Sequence, residues 1–259
     1  MLDLRDTLGL SVATKASMTE PRSLAEAFTT ELAFAKGAVP IRLRVSGRAQ
    51  RVALRIDGRG QAVELVLPRR TPLVSGLKFL DRNRAWVEAR LKDLPVRVPF
   101  ADGAAIPILG TKYRIRHMKR RPGDQGPVWI EGDEIRVTGD AAHLSRRVRD
   151  FLAETARREF TRRARAFAQK LERKIVRVSI RDMTSRWGSC SSSGSLAFSW
   201  RLIFAPEGVV TYIVAHEVCH LVVMNHGPRF WRLVESLTPD ARFRQDWLRR
   251  HRTTLMRFG

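Results

Sequence analysis

The sequence predicts an α+β protein in which an N-terminal β-rich unit is joined by a long helix to a C-terminal unit built on a β-hairpin and a core helix. Three observations carry this expectation. Residues 41 to 67 alternate apolar and polar side chains at period two. Residues 144 to 171 contain no proline or glycine and repeat apolar residues at helical spacing. Residues 215 to 231, AHEVCHLVVMNHGPRFW, then set three histidines into an otherwise apolar stretch.

Taken in order, residues 1 to 36 read as an extension with one helix from Pro21 to Lys36, opened by proline and stopped by Gly37. Ile41, Leu43 and Val45, then Val52, Leu54 and Ile56, then Val63, Leu65 and Leu67 form three half-buried strands, with a turn at Asp57 to Gly60, in a small meander. Leu77, Leu80, Val87 and Leu91, with Trp86 beside them, place a helix between Pro72 and Leu94. Two strand-like pieces, Ile106 to His117 and Val128 to Val137, bracket a basic turn at Lys119 to Gly126. The stretch from Leu144 to Leu171 is the long helix. Its arginine pairs, Arg146–Arg147, Arg157–Arg158 and Arg162–Arg163, are assigned to a solvated face, and the helix serves as a connector. Val176, Val178 and Ile180 begin a strand that continues through RWGSC at 186 to 190. SSSG at 191 to 194 turns the chain, and Leu196, Phe198, Trp200, Leu202 and Phe204 complete a hairpin. The organisation is an extension at 1–36, a β-rich unit at 37–140 and a C-terminal domain at 141–259, with no internal repeat.

With 44% apolar residues among 259, the chain has the composition of a globular protein. Two cysteines, Cys190 and Cys219, make no disulfide scaffold, which points to a reducing cytoplasm. The first twenty residues lack a cationic start before an apolar run, so no signal peptide is expected. The longest apolar stretch, Val209 to Met224, is interrupted by His216, Glu217 and His220, and no membrane span is expected. The formal charge is +22, carried mostly by arginine. Two readings are open: a basic surface that meets nucleic acid phosphates, or arginines filling solvated faces.

Pro206 and Glu207 open a helix that runs to Met224, apolar on more than one stripe and so buried. His216 and His220 are four residues apart and share one face, close enough for two imidazoles to hold one ion. Glu217 is angled away from that pair and is placed to act as a general base on water. The alternative is two core histidines bonded to backbone or carboxylates. A catalytic zinc site needs three protein ligands and an open position. His226 follows six residues after His220, where Asn225 and Gly227 can take left-handed conformations and Pro228 stops the helix.

RWGSC, WRLIFAP and HEVCHLVVMNHGPRFW, over Arg186 to Trp231, resemble the YgjP-like metallopeptidases, relatives of SprT-like and WLM proteases in the zincin group. The likeness extends more weakly through IPILGTKYRIRH at 106 to 117. It implies a zincin-like C-terminal domain, one Zn²⁺ per chain on His216, His220 and His226, and Glu217 as catalytic base. Val223 stands where metzincins carry glycine; Glu235 is the alternative third ligand of a gluzincin-type site, but its place on the following helix assigns it to the surface or to a supporting role. The chain has no spare cysteines for the extra zinc modules of SprT-like repair proteases.

Arg186 and Trp187 are candidates to line the cleft, Arg186 toward a substrate carboxylate or developing oxyanion or, structurally, toward Asp182 or Glu217. Phe230 and Trp231 are assigned to the core, His251 to the surface, and both cysteines to inert positions. The expected activity is zinc-dependent hydrolysis of peptide bonds in a peptide or protein substrate, with the edge of the 176–204 hairpin holding it as an added strand. Rival expectations are a hydrolase of nucleotide phosphoanhydrides, a nucleic-acid-associated protease, and a nucleic-acid-binding protein with a structural zinc.

Overall fold

A computed structural model describes residues 29–34, 37–56 and 62–259. The expected turn at Asp57 to Gly60 and the extension before residue 29 lie outside the described residues. The chain divides into two compact units after Pro95, not near residue 140.

In the first unit, β1 (Thr29–Phe34), β2 (Gly37–Ser46), β3 (Ala53–Ile56) and β4 (Val63–Pro68) form one sheet in the order β1-β2-β4-β3. Two expectations are corrected here. The described part of the Pro21–Lys36 helix is strand β1, paired antiparallel with β2. The three central strands are not a meander, because β2 and β4 run parallel, with Ile41 opposite Val63, and β3 is the edge. β4 occupies the centre because Val63, Leu65, Val66 and Leu67 are all buried, as a strand covered on both faces requires. The helical stretch from 72 to 94 is two helices, α1 (Leu73–Arg82) and α2 (Arg84–Lys92). Between them Asn83 leaves helical geometry, and its side-chain amide donates to the Phe79 carbonyl at 2.7 Å. Leu77, Leu80, Val87 and Leu91 pack on Ile41, Val63, Leu65 and Leu67 as their periods predicted. Trp86 stays outside that core, 44% exposed.

The second unit opens with β5 (Ala105–Ile108), β6 (Thr111–Met118), β7 (Val128–Glu131) and β8 (Glu134–Thr138), in the order β5-β6-β8-β7. Each single strand expected here is a hairpin, turned at Leu109–Gly110 and at Gly132 through positive φ. The pairing pattern, antiparallel outside and parallel inside, repeats that of the first sheet. The helix α3 (Leu144–Lys170) is continuous, about 40 Å long at 1.5 Å per residue. It is not a connector. Its Leu152, Ala156 and Phe160 share one core with Ile106, Ile115 and Ile135 of the sheet before it. That shared burial is why the unit boundary falls at Pro95. Arg163 is buried rather than solvated, in ion pairs with Glu159 and with Glu207.

The third sheet joins β9 (Arg177–Arg181), β10 (Gly188–Cys190) and β11 (Ser195–Ser199) in the order β10-β11-β9. The SSSG turn does close a hairpin, but between β10 and β11. β9 lies parallel to β11, with Val178 opposite Leu196. The apolar run of the last strand leaves the sheet at Trp200 and forms a buried 3-10 turn, Trp200–Phe204. Arg201 anchors that turn by donating to Asp182 Oδ1 at 2.9 Å and to the Phe258 carbonyl at 2.6 Å. The helices α4 (Glu207–Cys219), α5 (Pro228–Leu237), α6 (Ala241–Arg250) and α7 (Arg252–Met256) complete the unit. Among the described residues no helix is long and apolar enough to cross a membrane.

Candidate metal centre

The site begins with α4, which is buried on nearly all sides: Val209, Val210, Tyr212, Val214, Ala215, Val218 and Cys219 are each at most 4% exposed. The helix stops at Cys219, five residues before the expected Met224. His220 caps it with φ −65° and ψ −17°, still right-handed, so His216 and His220 keep the one-turn alignment that their spacing demands. The reversal that follows uses no left-handed residue. Leu221 and Val222 donate back to the Val218 and Cys219 carbonyls at 2.9 and 3.0 Å, Gly227 is extended (φ −73°, ψ −178°), and Pro228 opens α5 at its first turn instead of merely ending α4.

This turn brings His226 back to the helix. The Nε2 atoms of His216 and His226 are 3.1 Å apart, and one ligand atom from each of His216, His220 and His226 falls within 4.8 Å of the other two. A tetrahedral ion with bonds of about 2.0–2.1 Å to nitrogen separates its ligands by about 3.3 Å, so the trio fits a metal ion with little movement. His220 Nδ1 lies 3.1 Å from the Val223 carbonyl. Donating there fixes the tautomer and leaves Nε2 as a lone pair, the arrangement that orients a ligating imidazole. Phe230 stands behind all three rings, with centroids 4.9, 4.5 and 4.8 Å from His216, His220 and His226, and stacks on His220 at 23°.

Electrostatics favour the neutral form of His216 and of His220. Burial, and then the charges of His220 and His226, push His216 down to about 3. Burial also lowers His220, with His226 adding to it and the bond to Val223 opposing. Neutral imidazole is the form that ligates metals. Among the described residues the Nδ1 of His216 is buried without a hydrogen-bond partner.

Glu217, 7% exposed, has its pKa pushed up to about 7 by burial, against the opposing charge of Arg186. It lies against β10 at Gly188, where an added Cβ would sit 2.6 Å from both its Cγ and its Oε1. Only glycine lets the strand approach this side chain so closely. Gly188 is the site residue that sequence reasoning passed over, although a glycine inside a strand pattern signals such an approach.

The other candidates separate clearly. Arg186 is exposed and near enough to Glu217 to act on its charge, whereas Asp182 is taken by Arg201. Trp187 is half-buried against the core, and its carbonyl accepts from the Ser199 amide at 2.9 Å. Glu235 is exposed on α5 and outside the histidine trio. Phe230 is fully buried, and Trp231 is partly so. His251 is half-buried rather than exposed, stacked on Trp247 at 4.1 Å. Both cysteines are unpaired, and burial raises Cys190 to about 11, with Glu217 adding to it, and Cys219 to about 12. Neither carries the thiolate that a nucleophile needs at neutral pH.

Comparison with known proteins adds the family. The solved metallopeptidase zymogen abylysin of Pyrococcus abyssi is 24% identical, with a TM-score of 0.33, over 38% of this chain and 97% of that one, a likeness too slight to bear on the architecture. No curated protein matches the chain. The model of the YgjP-like metallopeptidase domain matches residues 50–251, most of the chain and all of the histidine site. The chain belongs to the YgjP-like metallopeptidase family.

Proposed function

We propose that this chain is a zinc-dependent peptidase with a zincin-like centre, in which His216, His220 and His226 hold the ion and Glu217 is the general base. One observation carries the reading: the imidazoles of His216, His220 and His226 converge within metal-ligand reach of one another, and the neighbouring Glu217 is a buried carboxyl group. When bound, the ion supplies Lewis acidity, polarising a carbonyl and acidifying water. Glu217 takes a proton from the attacking water at a carboxylate oxygen and returns it to the leaving nitrogen. Gly188 fixes where that carboxylate stands.

The strand β10 is an edge of its sheet and carries Gly188, so a peptide added along it would pass beside Glu217. Arg186, exposed at the start of that strand, is positioned to meet a substrate carboxylate or the charge that develops on the carbonyl oxygen. Three histidines suit zinc, and the absence of cysteine and carboxylate from the trio argues against a closed structural site.

The test is metal analysis of the purified chain followed by assays on casein, a peptide library and nucleoside triphosphates. The account predicts one zinc per chain and cleavage of peptide bonds that chelation abolishes and zinc restores. Turnover of triphosphates without cleavage of any peptide would replace it.

A further inference from the structure

We propose a second site, remote in sequence from the histidines, that binds the phosphodiester backbone of nucleic acid along the outer face of α3. A groove of about 430 Å³ lies between α3 and β9, lined by the exposed Arg157, Arg165, Arg173 and Arg177 together with the partly buried Ile175 and Val178. A second depression of about 630 Å³ shares Arg157 and Arg165 with it and adds Arg158 and Arg162. The two make one continuous basic track that shares no residue with the histidine trio or Glu217.

Its arginines differ from those that do structural work. Arg147 donates to the Thr138 and Asp140 carbonyls, and Arg163 is buried between Glu159 and Glu207. Along the track Arg157 pairs with Glu154 and Arg162 with Glu159, but among the described residues Arg158, Arg165, Arg173 and Arg177 have no ion-pair partner. Glu154 and Glu159 offset part of this charge but leave the track net positive, and a bound polyanion relieves the remaining repulsion while releasing its own counterions. Guanidinium also matches phosphate oxygens in bidentate fashion.

The shape of the track selects the occupant. Arg157 and Arg165 are eight residues apart, about 12 Å along the helix axis, a length that meets several phosphates in succession and exceeds a single ion. An acidic peptide added as a strand to β9 would reach Arg177 and leave Arg158 and Arg162, on the helix, without contact. Among the described residues no aromatic side chain lines either depression, so bases have no stacking platform there and contact is with the backbone. Binding is therefore indifferent to base sequence.

Fluorescence anisotropy with labelled 20-nucleotide single strands of two unrelated sequences, between 50 and 300 mM salt, tests this on the full chain. The wild type binds both sequences within about threefold of each other. R158E/R165E/R173E weakens binding at least 30-fold and lowers the log–log salt slope by about two, from about 0.7 per phosphate contact on single strands. A control with the same charge change elsewhere, R146E/R242E/R250E, loses less than fivefold. R158Q/R165Q/R173Q, which adds no acid, follows the same order if charge reversal perturbs folding. Equal losses in groove and control variants, no binding by the wild type at 50 mM salt, or preferential capture of a polyglutamate peptide would each overturn the proposal.

Discussion

Replacing Gly188 by alanine tests how the strand positions Glu217. The new Cβ would lie 2.6 Å from Cγ and Oε1 and 2.8 Å from Cδ of Glu217, where ordinary contact begins at 3.4 Å. The carboxylate must therefore retreat by roughly 0.8 Å. It cannot do so freely, because Cγ, close to the helix backbone, is displaced as well as the flexible end. A misplacement of about 1 Å in a catalytic group costs about 10²-fold in rate, equivalent to ~2.7 kcal/mol of transition-state stabilisation. The three atoms nearest the new Cβ all belong to Glu217, so metal affinity is expected to stay within threefold. Peptide hydrolysis measured as kcat/KM, with zinc titration in parallel, reads the two effects separately. Retention of more than a third of wild-type kcat/KM in a folded G188A protein would refute the positioning argument. Parallel loss of zinc would show that the substitution disrupts packing instead.

Phe230→Ala removes a fully buried ring that touches all three histidines; it should cost about 3–5 kcal/mol of stability and weaken zinc binding. Unchanged zinc affinity would mean that the ring does not hold the ligands. Partial burial of Glu159 works to raise its pKa, but the hydrogen bonds and charges of Arg163 and Arg162 outweigh it, and the group titrates below 4.5. A depressed folded pKa contributes stability above the unfolded value and loses it as pH falls through the folded one. Glu159→Gln should thus lower stability at pH 7 by about 1.5–3 kcal/mol, and the difference should shrink as pH falls through the depressed folded pKa. A difference that does not shrink as the pH is lowered contradicts the ion-pair account. Iodoacetamide at pH 8 should leave hydrolysis intact, since both thiols are held protonated; inactivation would assign one of them to the reaction.

The site was more legible in the sequence than the fold. HEVCH followed by NHG aligns two imidazoles through local helical geometry, and a short reversal suffices to return a third, so the candidate trio met even though the helix ended at Cys219 and no left-handed residue formed the turn. Period two identified strands but not partners. Ile41, Leu43 and Val45 present the same apolar face to a parallel or an antiparallel neighbour, and the choice depends on contacts remote in sequence. Likewise Leu109–Gly110 breaks an apparently single strand through positive φ at a leucine, which residue preference does not announce. Trp200 to Phe204 kept its alternation while leaving the sheet, because Arg201 found Asp182 and a C-terminal carbonyl that local sequence does not reveal. Arg163 looked like its neighbours Arg157 and Arg162, and only the packing of α4 on α3 brings Glu207 to it.

In the proposed mechanism Glu217 moves the proton while the three histidines hold the ion. Zinc content and peptide turnover of Glu217→Gln are to be measured beside the wild type and His220→Ala. Glu217→Gln should retain one zinc per chain and lose peptide turnover by at least about 10²-fold, the scale of a general base, whereas His220→Ala should lose both. Wild-type turnover in the Glu217→Gln protein would contradict the assignment.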